Sequence, residues 1–147
     1  MNISRDTKVF VNGEQYRVLA KVLYVSSPTG RKYWKAFLSG DSVIVYDADN
    51  GEMMGFGILV NDLELDFSNI PNTLEYKGKV YKLDGGMEYE RVLNFEFGDL
   101  SDAEGECKFA NYSSDDGSWL SPGLISETGA RADFYGENPD EYEIKLG

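Results

Sequence analysis

The sequence predicts an all-β protein made of two pseudo-repeated antiparallel β units, which form a sandwich or partly open barrels. Three observations predict this class. Aromatic residues make up 14% of the chain, and aromatic side chains favour the pleated surface of a sheet. Sixteen Gly indicate frequent turns, with short alternating runs between them. No window of helical length shows a helical period free of Gly and Pro.

The two units are predicted from a weak internal repeat, in which similar residues recur at an offset of 65 residues. The matched pairs are Gly13 with Gly78, Tyr16 with Tyr81, Val18 with Leu83 and Tyr24 with Tyr89. A chain of 147 residues is the length of about one domain. We therefore predict a single domain, residues 1–147, with pseudo-repeat halves 1–70 and 71–147.

The first half contains alternating runs separated by turn residues. The predicted strands are, in order, Lys8–Val11 and residues 15–25, 31–39, 42–47, 52–60 and 63–67. Asn12-Gly13 is a strong hairpin signal, because a tight two-residue turn needs positive φ at both positions. Alternation places Tyr33, Lys35 and Phe37 on one face of their strand, with Trp34 on the other.

The second half repeats the pattern with more interruptions. Its predicted strands are Thr73–Tyr76 and residues 80–84, 88–97, 106–113, 118–126, 131–135 and 141–146, with a break at Pro122-Gly123. Gly85-Gly86 predicts a β-bulge. Beyond it, Leu93, Phe95 and Phe97 are expected to face inward. Residues 98–105 are expected to form an acidic loop.

The charge is concentrated in the second half of the chain. The formal net charge is −12, of which residues 1–74 carry −2 and residues 75–147 carry −10. Such a chain repels phosphates, so we expect no direct binding of nucleic acid. High solubility is the simplest interpretation of the charge, and an acidic mimic of nucleic acid, or an inhibitor, is a sharper alternative.

Cys107 is the single cysteine, which excludes an internal disulfide and favours a reducing compartment. The first residues lack the apolar core of a signal peptide, and no apolar run is long enough to span a membrane. We therefore expect a cytoplasmic protein without membrane insertion. Cys107 falls in a predicted strand, where a buried and unreactive thiol is the expected state.

The residues known to carry chemistry are missing or wrongly spaced. The chain has no His, which removes the commonest general base and metal ligand. Neither a nucleophile elbow nor a phosphate-binding glycine loop is present. The stretch from Asp47 to Glu52 resembles the start of a calcium loop, but its glycine comes one position too early. We predict a protein that is not an enzyme and has no cofactor and no metal site.

Aromatic residues supply the candidate binding site. Exposed aromatic residues on a sheet suit a peptide, a sugar or a partner protein. The predicted partner-binding residues are Tyr33, Trp34, Lys35, Phe37 and Trp119. Packing in the core is the alternative role for these aromatic side chains.

Several short motifs resemble the bacterial and archaeal domain-of-unknown-function family 4178. They are the strand from Tyr33 to Leu38, the Tyr76-x-Gly78-x-x-Tyr81 segment and the Trp119-Leu120-Ser121 run. The sequence departs from the family pattern at Lys35 and at Pro122. That family has no established activity. Its members tend to sit beside membrane-stress, channel-like and polyamine-related proteins, so the resemblance implies an accessory or scaffold role.

The leading functional prediction is a non-catalytic binding or adaptor module with a protein partner. A small-ligand-binding barrel is one alternative, and it requires an apolar pocket of several hundred Å³. An acidic nucleic-acid mimic or inhibitor is the other.

Overall fold

The computed structural model describes residues 1–98 and 106–147. The predicted acidic loop therefore lies, apart from Gly98, outside the described residues. The described part contains twelve strands and one turn of 3-10 helix, at Pro139–Glu141. The strands are β1 Lys8–Val11, β2 Glu14–Ser27, β3 Lys32–Leu38, β4 Ser42–Asp47, β5 Met53–Val60, β6 Thr73–Tyr76, β7 Lys79–Phe97, β8 Glu106–Ser113, β9 Trp119–Ser121, β10 Gly123–Ile125, β11 Asp133–Gly136 and β12 Ile144–Leu146.

The chain is all-β, as predicted, and its central feature is one closed antiparallel barrel of eight strands. The strand order is β2-β3-β4-β5-β11-β9-β8-β7, and β7 pairs with β2 to close the ring. β12 and β1 extend the sheet beyond β2, β6 extends it beyond β7, and β10 pairs with β8. Both halves of the chain thus build a single barrel, rather than a sandwich or a barrel in each half.

Two seams join the halves within the barrel, and the pairing of β1 with β12 joins them outside it. β2 pairs with β7 over a long seam that runs from Lys21 opposite Phe97 to Ser27 opposite Tyr89. β5 pairs with β11 over a shorter seam, from Val60 opposite Asp133 to Ile58 opposite Tyr135. Closure of the ring leaves the eight barrel strands without open edges.

The hairpins that lead into β2 and β7 are equivalent. Val9 lies opposite Tyr16 in the first hairpin, and Leu74 lies opposite Tyr81 in the second, which is the same register at the offset of 65. The turn at Asn12-Gly13 has φ values of 50° and 83°, and the turn at residues 77–78 has 49° and 80°. Positive φ at both positions is what the shortest hairpin turn requires, so the predicted turn at Asn12-Gly13 is confirmed.

β7 bends where the glycine pair interrupts it. The register with β8 shifts between Asp84 and Glu88, and Gly85 has a φ of 75°. A bulge of this kind inserts extra residues and increases the local twist. The predicted bulge is confirmed, and it lies at one end of the barrel, beside the β2–β3 loop.

Apolar clusters cover the barrel on two sides. The first packs the N-terminal segment and β1 against the outer faces of β3, β4 and β5, and its buried members are Ile3, Val9, Val11, Ala36, Leu38, Ile44, Tyr46 and Phe56. The second packs β6 and the β5–β6 loop against β7, β8 and β9, and its buried members are Leu63, Tyr76, Tyr81, Ala110, Tyr112 and Leu120. We call the first of these clusters the outer layer.

Three local predictions were wrong. Residues 63–67 form no strand, although they alternate, and Leu63 instead packs into the second cluster. Leu93 and Phe95 are 38% and 36% exposed rather than inward, because the inner face of β7 is formed by the alternate residues Glu88, Glu90 and Val92. The last strand is shorter than predicted, since the 3-10 turn occupies its expected start.

The stretch that resembles a calcium loop is the turn between β4 and β5. The Asp47 carboxylate accepts hydrogen bonds from the backbone N–H groups of Asp49 and Asn50, at 2.8 and 3.1 Å. Such a side chain mimics the backbone of a turn. The side-chain oxygens of Asp47 and Asn50 that accept these bonds and the one from Glu52 N–H are therefore engaged within the turn itself.

Candidate functional site

The barrel encloses a cavity of about 380 Å³. Most of its lining surface is apolar, and the lining residues come from both halves of the chain. The exposed lining residues Thr29, Arg31 and Asp84 mark its mouth, between the β2–β3 loop and the bulge in β7. The volume falls within the range of small-molecule sites in proteins, roughly 300–1,000 Å³.

A buried ion pair lies in the wall of this cavity. Lys35 Nζ on β3 donates to Glu90 Oε1 on β7 at 2.7 Å, and the two side chains are 15% and 7% exposed. The Tyr33 hydroxyl donates to the other carboxylate oxygen of Glu90. Both oxygens of Glu90 are thus satisfied, which a buried carboxylate requires.

Two tyrosine rings complete the surroundings of the ion pair. Lys35 Nζ lies 4.7 Å from the centre of the Tyr24 ring, and the Tyr24 and Tyr33 rings are stacked 6.1 Å apart. The ring faces attract the ammonium group. Burial and the nearby Glu90 raise the pKa of both tyrosines, so their hydroxyls stay protonated and able to donate.

Cys107 also lines the cavity, and it lies opposite Glu90 in the pairing of β7 with β8. Burial and the Glu90 charge raise the pKa of its thiol to about 11. The thiolate is the nucleophilic form, so this thiol is unreactive at neutral pH. Cys107 is half-buried rather than fully buried as predicted, while its raised pKa favours the protonated, less nucleophilic thiol.

Two further carboxylates lie at the mouth of the cavity. Asp84 accepts from the Ser113 hydroxyl at 3.0 Å, and Glu88 accepts from Asn111 Nδ2 at 3.4 Å. Burial and the negative charge of Glu90 raise the pKa of Glu88, and the positive charge of Arg31 opposes this rise. The Arg31 guanidinium itself pairs with Asp47 at 3.4 Å.

Trp119 fills part of the barrel interior against two strands that carry glycine. Its indole lies so close to β5 that a Cβ at Gly57 would be 2.7 Å from Cη2, and a Cβ at Gly55 would be 3.1 Å from Cζ2. Gly136 on β11 lies against the same ring. Within the described residues the buried Trp119 Nε1 has no hydrogen-bond partner. The glycines therefore provide the space that a side chain of this size needs.

The predicted partner-binding residues are divided between two sides of the barrel wall. Tyr33, Lys35 and Trp119 line the cavity, and Phe37 packs beside them on the inner face of β3. Trp34 points the opposite way into the outer layer, where Lys21 Nζ lies 4.5 Å from its ring. The structure thus brings four of the five together inside the barrel and separates Trp34 from them.

The sequence reasoning did not single out Glu88, Glu90, Phe109 or Phe134, which also line the cavity. A weak signal for the two glutamates was present, because Glu88, Glu90 and Val92 alternate on one face of β7. That face becomes recognisable only once the pairing of β2 with β7 is known.

In the described ranges, no helix is long and apolar enough to cross a membrane. Comparison of the chain with family models, curated proteins and solved structures finds no match in any of the three. The resemblance to family 4178 therefore stays a prediction.

Proposed function

We propose that this protein is a non-catalytic binding protein that holds a small, largely apolar molecule inside its barrel. The observation that carries the proposal is the cavity of about 380 Å³, with its apolar lining and a buried ion pair in its wall. Eight-stranded barrels have an interior wide enough for one small ligand. A few placed polar groups among apolar ones are typical of ligand sites.

The positions of the predicted binding residues support a ligand inside the barrel over a partner on its surface. Tyr33 is 6% exposed and takes part in the interior hydrogen bonds, so a docking protein would not reach it. The protein partner stays a prediction from the sequence. The cytoplasmic location is likewise proposed from the sequence alone, on the single cysteine.

We further propose that halves 1–70 and 71–147 are related units that share one barrel. The matched registers and turn angles of the β1–β2 and β6–β7 hairpins support this proposal. Each half also contributes four consecutive members of the ring, β2 to β5 and β7, β8, β9 and β11.

A pair of matched substitutions tests the ligand proposal. Val45 lines the cavity from β4, whereas Val80 on β7 is 57% exposed. Val45→Phe fills empty space inside the barrel, and Val80→Phe adds the same atoms on the surface. Binding is followed by the fluorescence of N-phenylnaphthylamine, a neutral apolar probe, with circular dichroism as the check on folding.

We expect the wild type and Val80→Phe to bind the probe with equal affinity. Val45→Phe should bind at least about tenfold more weakly, a loss of about 1.4 kcal/mol. Equal binding by all three proteins, or no binding by the wild type, would contradict the proposal. Native mass spectrometry of the purified wild type adds a second readout, since a retained small molecule would appear as a mass difference that Val45→Phe lacks.

A further inference from the structure

Negative charges outnumber positive ones around the cavity, and the ion pairs account for both cations. Five charged residues line it: Arg31, Lys35, Asp84, Glu88 and Glu90. Lys35 is neutralised by Glu90, and Arg31 by Asp47 outside the cavity. Among the described residues, Asp84 and Glu88 form no ion pair at all. The mouth therefore keeps two carboxylates that form no ion pair, and the charge of Arg31, which is paired with Asp47, opposes that of Glu88 only in part.

Of the two carboxylates, Glu88 gives the stronger indication of a cationic ligand. It is half-buried, whereas Asp84 is exposed to water. Its hydrogen bond from Asn111 is long, at 3.4 Å, and the neighbouring carboxylate of Glu90 points into the same cavity. A half-buried carboxylate without a cation is costly unless another group supplies the opposite charge.

The interior beyond the mouth has no free cation that could bind an anionic ligand, within the part of the chain that the structure describes. The ammonium of Lys35 is already held by Glu90 and by the Tyr24 ring. An anionic ligand would have to compete with Glu90 at 2.7 Å and would meet two further carboxylates on entry. The formal charge of −12 also attracts cations and repels anions as they approach the protein.

We propose that the ligand is an apolar amine, with a protonated amino group at Glu88 and Asp84 and an apolar body inside the barrel. The body would contact the apolar side chains of the lining, including Val45, Met54, Phe109 and Phe134. The ammonium group would supply the charge that the mouth lacks. This inference rests on the proposed function, because it assigns a chemical class to the ligand of that cavity.

The test compares three molecules that share one apolar chain and differ only in the head group. Decylamine, decanol and decanoate are each used below the concentration at which they aggregate, to displace N-phenylnaphthylamine at neutral pH. We expect decylamine to displace the probe at a concentration at least ~10-fold lower than decanol, with decanoate the weakest.

The ratio of the decanol concentration to the decylamine concentration that displaces half of the probe is then measured in two variants. Each variant loses one negative charge. Glu88→Gln should reduce this ratio several-fold, because it removes the carboxylate that the ammonium faces. Glu14→Gln removes an exposed carboxylate at the other end of β2 from the cavity mouth, and it should leave the ratio unchanged. The ratio uses the alcohol as an internal reference for the apolar contacts in each variant.

The possible failures are distinguishable. If the probe binds and decanol or decanoate displaces it as well as decylamine does, the amine inference is overturned and the cavity proposal stands. If Glu14→Gln lowers the ratio as much as Glu88→Gln does, the preference comes from the general acidity of the protein and the inference is again overturned. If neither the probe nor any of the three molecules binds, the proposed function fails and the inference fails with it.

Discussion

Two lysines with largely covered side chains, Lys35 inside the barrel and Lys21 in the outer layer, each pair with a glutamate and an aromatic ring but in different surroundings. Lys35 pairs with Glu90 at 2.7 Å and lies 4.7 Å from the Tyr24 ring, while Lys21 pairs with Glu96 at 3.0 Å and lies 4.5 Å from the Trp34 ring. The carboxylates differ, since Glu90 is 7% exposed and Glu96 is 44% exposed. The exposure of the carboxylate therefore decides whether water can solvate its charge when the lysine is removed.

The largest effect is expected from Lys35→Met. Methionine retains much of the apolar stem but leaves the Glu90 charge buried without its cation, and such a loss costs about 3–5 kcal/mol of the free energy of unfolding. Urea denaturation measures it. The double variant Lys35→Met with Glu90→Gln should recover most of that loss, because a neutral amide can still accept from the Tyr33 hydroxyl. A double variant no more stable than Lys35→Met alone would mean that the buried charge is not the cause.

Gly57→Ala tests how tightly the inner side of the wall is packed. The new Cβ would lie 2.7 Å from Trp119 Cη2, so the indole or the strand must shift, and overpacking of this kind costs about 1–3 kcal/mol. Gly86→Ala is the matched control, since a Cβ there meets nothing within 4 Å. Equal stability of the two variants, measured by thermal unfolding, would show that the indole moves freely within the barrel.

Lys21→Met makes the comparison direct, because it repeats the substitution of Lys35 in the outer layer. Glu96 stays hydrated when its partner is removed, and a pair with an exposed member contributes only about 1 kcal/mol or less. The methionine side chain can still pack against Trp34. A loss in urea denaturation as large as that of Lys35→Met would refute the role assigned to carboxylate exposure.

Glu88→Gln should have the smallest effect on stability, and its sign depends on pH. Burial raises the pKa of Glu88 above the value in the unfolded chain, so the folded state binds the proton more tightly. The stabilising contribution of Glu88 is present at low pH and is lost as the pH rises through the pKa of the folded state. Glu88→Gln should thus be more stable than the wild type at neutral pH, and this difference should vanish at acidic pH. A difference that grows on acidification would contradict this sign.

Much of the strand pattern was predictable because it depends on local residues. The hairpin turn at Asn12-Gly13 and the bulge at Gly85-Gly86 follow from the freedom of glycine at positive φ, and the two faces of β3 follow from alternation. The pairing of β2 with β7 was not predictable, because it joins residues far apart in the chain and its register shifts twice. Leu93 and Phe95 were assigned to the wrong face because hydrophobicity favoured them over the glutamates of the alternate set, which in fact faces the interior.

The candidate site was predictable only in part, for the same reason. Alternation identified Tyr33, Lys35 and Phe37 as one set. Tyr33 and Lys35 line the cavity, and Phe37 packs against the interior cluster that contains Tyr33. Glu90 is one of 26 acidic residues, and nothing in its neighbourhood along the chain distinguishes it. Its role arises from the contact with Tyr33 and Lys35, residues 57 and 55 positions away.

The two seams of the barrel have a consequence for how the chain folds. Each seam joins a strand of the first half to one of the second, so neither half can complete its ring of hydrogen bonds alone. Contacts of such long sequence separation slow the folding of a domain. A polypeptide cut within residues 61–72 should accordingly yield two fragments that remain incomplete when separate and acquire the native structure by complementing each other on mixing.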